Sequence, residues 1–213
     1  MKSYFVKTPS LIPIIYRDQV WGFSPKKKEI YLTFDDGPTP KITDWVLKTL
    51  DQYKAKATFF CIGNNIKKHP IIFNKIIDDG HAIGNHTYNH LNGWKTPTKE
   101  YLDSVFKTEK LIEKYQITNS KIFRPPYGKI KPSQAKTILK SGYNIIMWSV
   151  LSADFDVTIN DNVCFNNVVN SSDNGSIIVF HDSVKAFEKL QIVLPKVLEH
   201  FSNKGYIFKR IVI

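Results

Sequence analysis

Arginine is scarce in this chain: only Arg17, Arg124 and Arg210 occur in 213 residues, although lysine and arginine together number 30 and the formal net charge is +11. Proteins that read nucleic-acid sequence lean on arginine for bidentate contacts to bases and phosphates, so this bias argues against a nucleic-acid partner. The lysines are spread along the chain, which describes a solvated basic surface, and Lys26-Lys27-Lys28 reads as a solvated edge ahead of the first strand. The charge suits an anionic wall polymer without selecting one. Cysteine is nearly missing. Cys61 and Cys164 sit in apolar contexts without Cys-x-x-Cys spacing, so buried free thiols are expected, with no disulfide framework and no cysteine metal site. No apolar run approaches the ~20 residues of a membrane-spanning helix. The stretch Leu11-Ile12-Pro13-Ile14-Ile15 is too short and too broken by proline for a secretory signal, so a cytoplasmic location is the default expectation.

What is present is a core-forming chain with 42% hydrophobic residues. Apolar runs at 30–34, 57–61, 121–123, 144–148 and 176–180 read as strands, with a shorter one at 81–84. Between them, Ile42, Trp45, Val46, Thr49, Leu50 and Tyr53 recur at helical spacing. Pro70 opens a helix that Gly80 ends, Thr96 and Pro97 serve as cap and first residue of another, and 132–140 and 162–169 are two more. The last helix carries Leu190, Leu194, Val197 and Phe201, and Pro195 within it predicts a kink or break. Residues 207–213 end the chain in extended form. Strands alternating with helices every ~30 residues indicate βαβ units and a parallel sheet. About seven such units let the sheet close into a barrel. No Gly-x-Gly-x-x-Gly follows the first strand, which argues against a dinucleotide-binding open sheet.

The chemistry gathers at strand ends. Asp35 and Asp36 close the first strand side by side before Gly37-Pro38, and two adjacent carboxylates need a cation to offset their charge. His86 and His90 stand at i and i+4, a spacing that lets both face one metal ion from a helical turn. One Asp with two His makes a three-ligand set with an open position, and leaves the other Asp for proton chemistry. The same set also describes a non-haem iron oxygenase. His81 heads the strand leading to the pair and is a candidate to support it, and Asp182 is a candidate cap for the following helix.

Taken in order, Thr33-Phe34-Asp35-Asp36-Gly37, His86-Thr87-Tyr88-Asn89-His90, Arg124-Pro125-Pro126-Tyr127-Gly128, the segment 148–155 and Val179-Phe180-His181-Asp182 closely resemble the five motifs of the polysaccharide deacetylase family. This is the NodB-homology group, carbohydrate esterase family 4. The resemblance implies an α/β fold, a distorted (β/α)7-type barrel. It implies a catalytic domain at 28–213, with 1–27 as an N-terminal extension packed on the barrel. It implies metal-assisted removal of acetyl groups from an N-acetylated carbohydrate. By resemblance, Asp36, His86 and His90 hold the metal, expected to be zinc with cobalt or nickel as substitutes. Asp35 is the general base, Arg124 its partner, His181 the general acid and Asp154 the carboxylate that tunes it. Tyr127 offers its backbone N–H to the oxyanion, and Val179 lines the acetyl pocket. Two positions depart from the pattern: Leu151 replaces an aspartate and Phe155 a tryptophan. Phe155 keeps an aromatic wall for a sugar, without the indole N–H. Trp94, just after the histidine pair, is the best further candidate for stacking on a sugar. A silent carbohydrate-binding protein on the same barrel is the main rival expectation.

Overall fold

A computed structural model describes residues 4–115 and 121–213. The strands are β1 Gln19–Val20, β2 Glu29–Asp35, β3 Thr58–Cys61, β4 Ala82–Asn85, β5 Ile122–Phe123, β6 Asn144–Ile146, β7 Val150–Leu151, β8 Ile177–His181 and β9 Ile207–Phe208. The helices are α1 Leu11–Ile15, α2 Ile42–Gln52, α3 Gly63–Lys68, α4 Pro70–Asp78, α5 Thr98–Glu113, α6 Pro132–Lys140, α7 Asp161–Val169 and α8 Phe187–Asn203. The strands pair in the order β1-β6-β5-β4-β3-β2-β8-β7, with β9 added beside the start of β2, and the paired strands all run parallel. The sheet curls into the expected distorted barrel, open along one seam between β1 and β7.

The alternation along β2 explains the two layers of core. Ile30, Leu32 and Phe34 point outward into the main cluster, where they meet Val46 and Leu50 of α2 and Leu190, Leu194 and Val197 of α8. Tyr31 points the other way and joins Phe60, Ile122, Ile146 and Ile177, which converge from β3, β5, β6 and β8 and therefore fill the barrel interior. The N-terminal arm laces the open seam. The Leu151 N–H donates to the Val6 carbonyl at 2.8 Å, Thr8 N–H to Ser149 at 2.9 Å and Met147 N–H to Val20 at 2.7 Å. Among the described residues no helix is long and apolar enough to cross a membrane.

Two local expectations change, and one short helix is added. α8 runs unbroken through Pro195. Its buried stripe of Leu190, Val193, Leu194, Val197, Leu198 and Phe201 contributes ~1.5–3 kcal/mol per side chain, which outweighs the ~3 kcal/mol that an internal proline costs. The third long helix begins one residue later than expected. Pro97 is extended (ψ 141°) and caps it, because the Thr96 hydroxyl is committed to the Asn92 carbonyl at 2.8 Å. The short α3 before Pro70 was not legible, since its Gly-Asn-Asn start has low helix propensity.

His81 sits at the N-terminal end of β4, the opposite end from His86, so it does not support the histidine pair. Its Nδ1 accepts the Ala57 N–H at 3.1 Å and its ring meets the Phe59 ring edge-on. Burial, helped by the charges of Lys56 and Arg210, lowers its pKa to about 4. In the unfolded chain that pKa is ~6.5, so the unfolded state takes up a proton that the fold refuses. Stability present above pH ~6.5 is therefore lost as pH falls toward 4, by on the order of 3 kcal/mol. Urea unfolding across this window should show that acid-side slope, and His81→Gln should flatten it; an unchanged slope in the variant would refute the assignment.

Candidate active site

Four strands deliver their C-terminal ends to one mouth of the barrel. β2 ends at Asp35 and β8 at His181, which are register partners. β4 leads directly into His86, and β5 into Arg124, whose N–H donates to the Asn85 carbonyl at 3.0 Å. Parallel neighbours ending together bring residues that are far apart in sequence within reach of each other.

Asp36, His86 and His90 each present a ligand atom, and these atoms lie within 4.8 Å of one another. The Nε2 atoms of His90 and His86 stand 3.2 Å and 3.9 Å from Asp36 Oδ1. His86 Nδ1 lies 2.8 Å from the Arg124 carbonyl, which can only accept, so that nitrogen carries the proton and Nε2 presents its lone pair to the triad. His90 Nδ1 meets the Tyr127 hydroxyl at 3.0 Å. Burial, then the neighbouring His90, lowers the His86 pKa to about 3, and burial also lowers that of His90 against the pull of Asp36. Both rings are thus neutral, the form that ligates. Asp36 Oδ1 is buried with no hydrogen-bond partner. A divalent cation fits this donor set, since it satisfies an orphaned carboxylate oxygen and two lone pairs at once.

The histidines do not share a helical turn. Residues 86–90 form a loop in which Thr87 (φ 63°) and His90 (φ 55°) are left-handed. Asn85 Oδ1 takes the Thr87 N–H at 2.9 Å and Ser104 Oγ takes the Tyr88 N–H at 2.8 Å, which holds the loop in that shape. The spacing was informative, but the geometry that makes the rings converge is set by these partners rather than by helical periodicity.

Asp35 points into the barrel. Arg124 Nη1 donates to its Oδ1 at 2.8 Å and to Thr33 Oγ1 at 2.6 Å, while Nε and Nη2 donate to the Ile146 and Met147 carbonyls at 3.1 and 2.9 Å. The guanidinium lies 4.1 Å from the Phe60 ring centroid. On the other side, Asp154 holds His181 twice. Its Oδ1 is 2.8 Å from the ring Nδ1 and its Oδ2 accepts the His181 N–H at 2.7 Å. Burial by itself would lower the His181 pKa, but the Asp154 carboxylate outweighs it and raises the value to about 9.

The remaining sequence candidates surround these groups. Phe155 meets the His181 ring edge-on at 5.1 Å. Val179 is buried two residues before His181, on the same face of β8, beside Thr33 and Leu151. Tyr127 (φ 60°) and Trp94 are both exposed and border one groove of about 800 Å³. A second cleft of about 370 Å³ opens on the other side of the triad, lined by Asp36, His90, Asn65 and His69 among others.

Asp182 is not a helix cap, because α8 starts only at Phe187. Its Oδ1 accepts the Gly37 N–H at 3.0 Å and its Oδ2 takes the Thr43 hydroxyl, which in turn accepts the Thr39 N–H at 2.8 Å. Burial pushes its carboxyl up to about 8, against the opposing hydrogen bond from Thr43. This residue anchors the turn that carries Asp36. Nothing near it in the chain marks that role, since its partner Gly37 lies 145 positions away.

The sequence pattern of the polysaccharide deacetylase family matches residues 23–146. A peptidoglycan-N-acetylglucosamine deacetylase of Bacillus cereus is 37% identical over 180 residues, covering 84% of this chain and 65% of that protein. A second Bacillus cereus protein of the same name is 35% identical over 190 residues, 88% of each. Among solved structures, the Bc1960 peptidoglycan N-acetylglucosamine deacetylase in complex with 4-naphthalen-1-yl-N-oxidanyl-benzamide superposes with a TM-score of 0.87 at 33% identity, covering 96% of this chain and 95% of that one.

A Cβ built at Gly37 would sit 2.0 Å from Asp182 Oδ2, so Gly37→Ala must displace the Asp182 carboxylate or the Asp36 turn that it anchors. Zinc titration of Gly37→Ala should show affinity lower by about tenfold or more, with Asp182→Asn falling between it and wild type. Wild-type affinity in Gly37→Ala would show that the turn does not position the ligand.

Proposed function

This chain belongs to the polysaccharide deacetylase family, and we propose that it is a hydrolase that removes N-acetyl groups from an N-acetylglucosamine-containing glycan, peptidoglycan or chitin-like. The observation that carries this reading is the opposed setting of two proton-transfer groups around one candidate metal triad: Asp35 against Arg124, and His181 against Asp154. An amide needs both groups, because its carbonyl is a poor electrophile and its amine leaves only when protonated.

Asp36, His86 and His90 would hold a divalent ion, zinc being favoured by two imidazoles with a carboxylate and by chemistry without redox change. When bound, the ion supplies a Lewis acid that polarises the acetyl carbonyl and lowers the pKa of water. Asp35, aimed by Arg124, takes the proton from the attacking water at Oδ2, the oxygen that Arg124 leaves free. The Tyr127 backbone N–H donates to the developing oxyanion, a contact of a kind that contributes ~3–4 kcal/mol. His181 carries its proton on the nitrogen facing away from Asp154 and gives it to the departing amine. Val179 and Phe155 bound the space beside His181 where the acetyl methyl and the sugar would lie. An iron oxygenase would have no use for a tethered spare aspartate and a separate acid histidine.

Acetate release from chitooligosaccharides and peptidoglycan fragments, with metal content measured in parallel, tests the reading. Activity should vanish with a chelator and return with zinc. Asp35→Asn should lower kcat by roughly 10²–10⁴ while substrate binding persists. Since His181 must be protonated to act, kcat/KM should fall as pH rises through about 9. In Asp154→Asn that alkaline limb should move toward ~6.5, the ordinary histidine value. Metal-loaded protein that releases no acetate from any of these substrates would sink the proposal.

A further inference from the structure

The groove beside Tyr127 reaches well past the reaction centre. Its near end is Tyr127 itself, whose hydroxyl touches His90, so the groove is continuous with the site. One wall is formed by Trp94 and α6, and the Trp94 indole N–H is fixed to the Ile130 carbonyl at 3.1 Å. Another wall is the N-terminal arm, through Phe5, Ile12, Tyr16 and Trp21. That wall lies ahead of residue 23, where the family match begins. Trp148 and Leu151 line the groove between the two walls, Leu151 standing where the family pattern has an aspartate.

Several of these side chains are left open to solvent: Phe5 is 65% exposed, Tyr16 48%, Trp94 60% and Tyr127 59%. Exposed aromatic side chains lining an open trough that leads from a glycan-processing centre are suited to the apolar faces of successive sugar rings. The trough holds about 800 Å³, room for more than one ring. Lys129, Lys136 and Lys140 border it against one acid, Asp18, which favours a chain carrying carboxylates over a cationic one.

We propose that the N-terminal arm and the Trp94–α6 wall form a distal tract that binds the substrate glycan for several units beyond the acetylated sugar, so that this chain prefers long oligomers. The proposal rests on the deacetylase reading for the identity of the occupant. Tyr16→Ala is the informative variant. Its carbonyl still accepts the Trp21 indole N–H, so the arm keeps that tether.

Wild type should show kcat/KM rising about tenfold or more from N-acetylglucosamine dimer to hexamer. Phe5→Ala with Tyr16→Ala should remove most of that gain through KM, leaving kcat on the hexamer within about twofold, and Tyr16→Phe should restore it. Equal kcat/KM for dimer and hexamer, or a double variant indistinguishable from wild type on the hexamer, overturns the tract. Hexamer binding, read from tryptophan fluorescence, separates the two ideas. If no acetate is released but the hexamer binds and the double variant weakens it, the deacetylase reading fails and the tract stands. If the hexamer does not bind, or a concentration-dependent dimer seen by sedimentation occupies the groove instead, the tract is overturned.

Discussion

The buried pair of Arg124 and Asp35 is the interaction on which the rest of the site depends. The Arg124 side chain is fully buried, and its hydrogen bonds reach Thr33 and Asp35 on β2, Ile146 on β6 and Met147 just beyond it. Desolvating a charge pair is expensive, and these neutral acceptors with the face of Phe60 make the guanidinium tolerable in the interior. Removing one partner would leave an unpaired buried charge, a loss on the order of 3–5 kcal/mol. The same residue also reaches the candidate metal triad, because its carbonyl fixes the His86 tautomer. One arginine therefore aims the proposed base with its side chain and a proposed ligand with its backbone.

Adjacent carboxylates acquire different tasks through backbone geometry. Consecutive strand residues point to opposite faces, so an extended Asp36 would have turned away from the barrel mouth. Its positive φ of 86° breaks that alternation and brings it beside the histidines, at a cost of ~1–3 kcal/mol. That conformation is held from outside by the Asp182 carboxylate on Gly37 and by Asn65, whose amide donates to the Asp36 carbonyl at 2.8 Å. The histidines are separated in the same way. His86 is buried with its Nδ1 on a carbonyl and stays neutral, whereas His181 lies on a carboxylate and holds its proton. Residue type offers four groups; environment gives them four different settings, matching the four proposed roles.

The family pattern made much of this legible. Asp35, Asp36, His86, His90, Arg124, Asp154 and His181 all meet at one mouth, because each follows or closes a β-strand of a parallel sheet and such strands end on one side. The strand and helix pattern was readable because alternation and helical periodicity are local. The histidine loop, the start of α5 and the unbroken run of α8 through Pro195 depart from local preference for a shared reason. In each, a partner from elsewhere in the fold overrode the local preference: Asn85 and Ser104 for the loop, Asn92 for Thr96, and a buried apolar stripe for the proline.

The sequence by itself determined the residue types at the strand ends, the parallel α/β class and the family, since those depend on short-range order and on motifs within a few residues. Only the tertiary structure decided that Asp182 anchors the Gly37 turn across 145 positions, that Tyr127 meets His90 across 37, and that the N-terminal arm laces the seam and walls a groove. These contacts join segments whose separation carries no local trace. Their geometry exists only once the curled sheet has brought the segments together and burial has made each unpaired polar group costly.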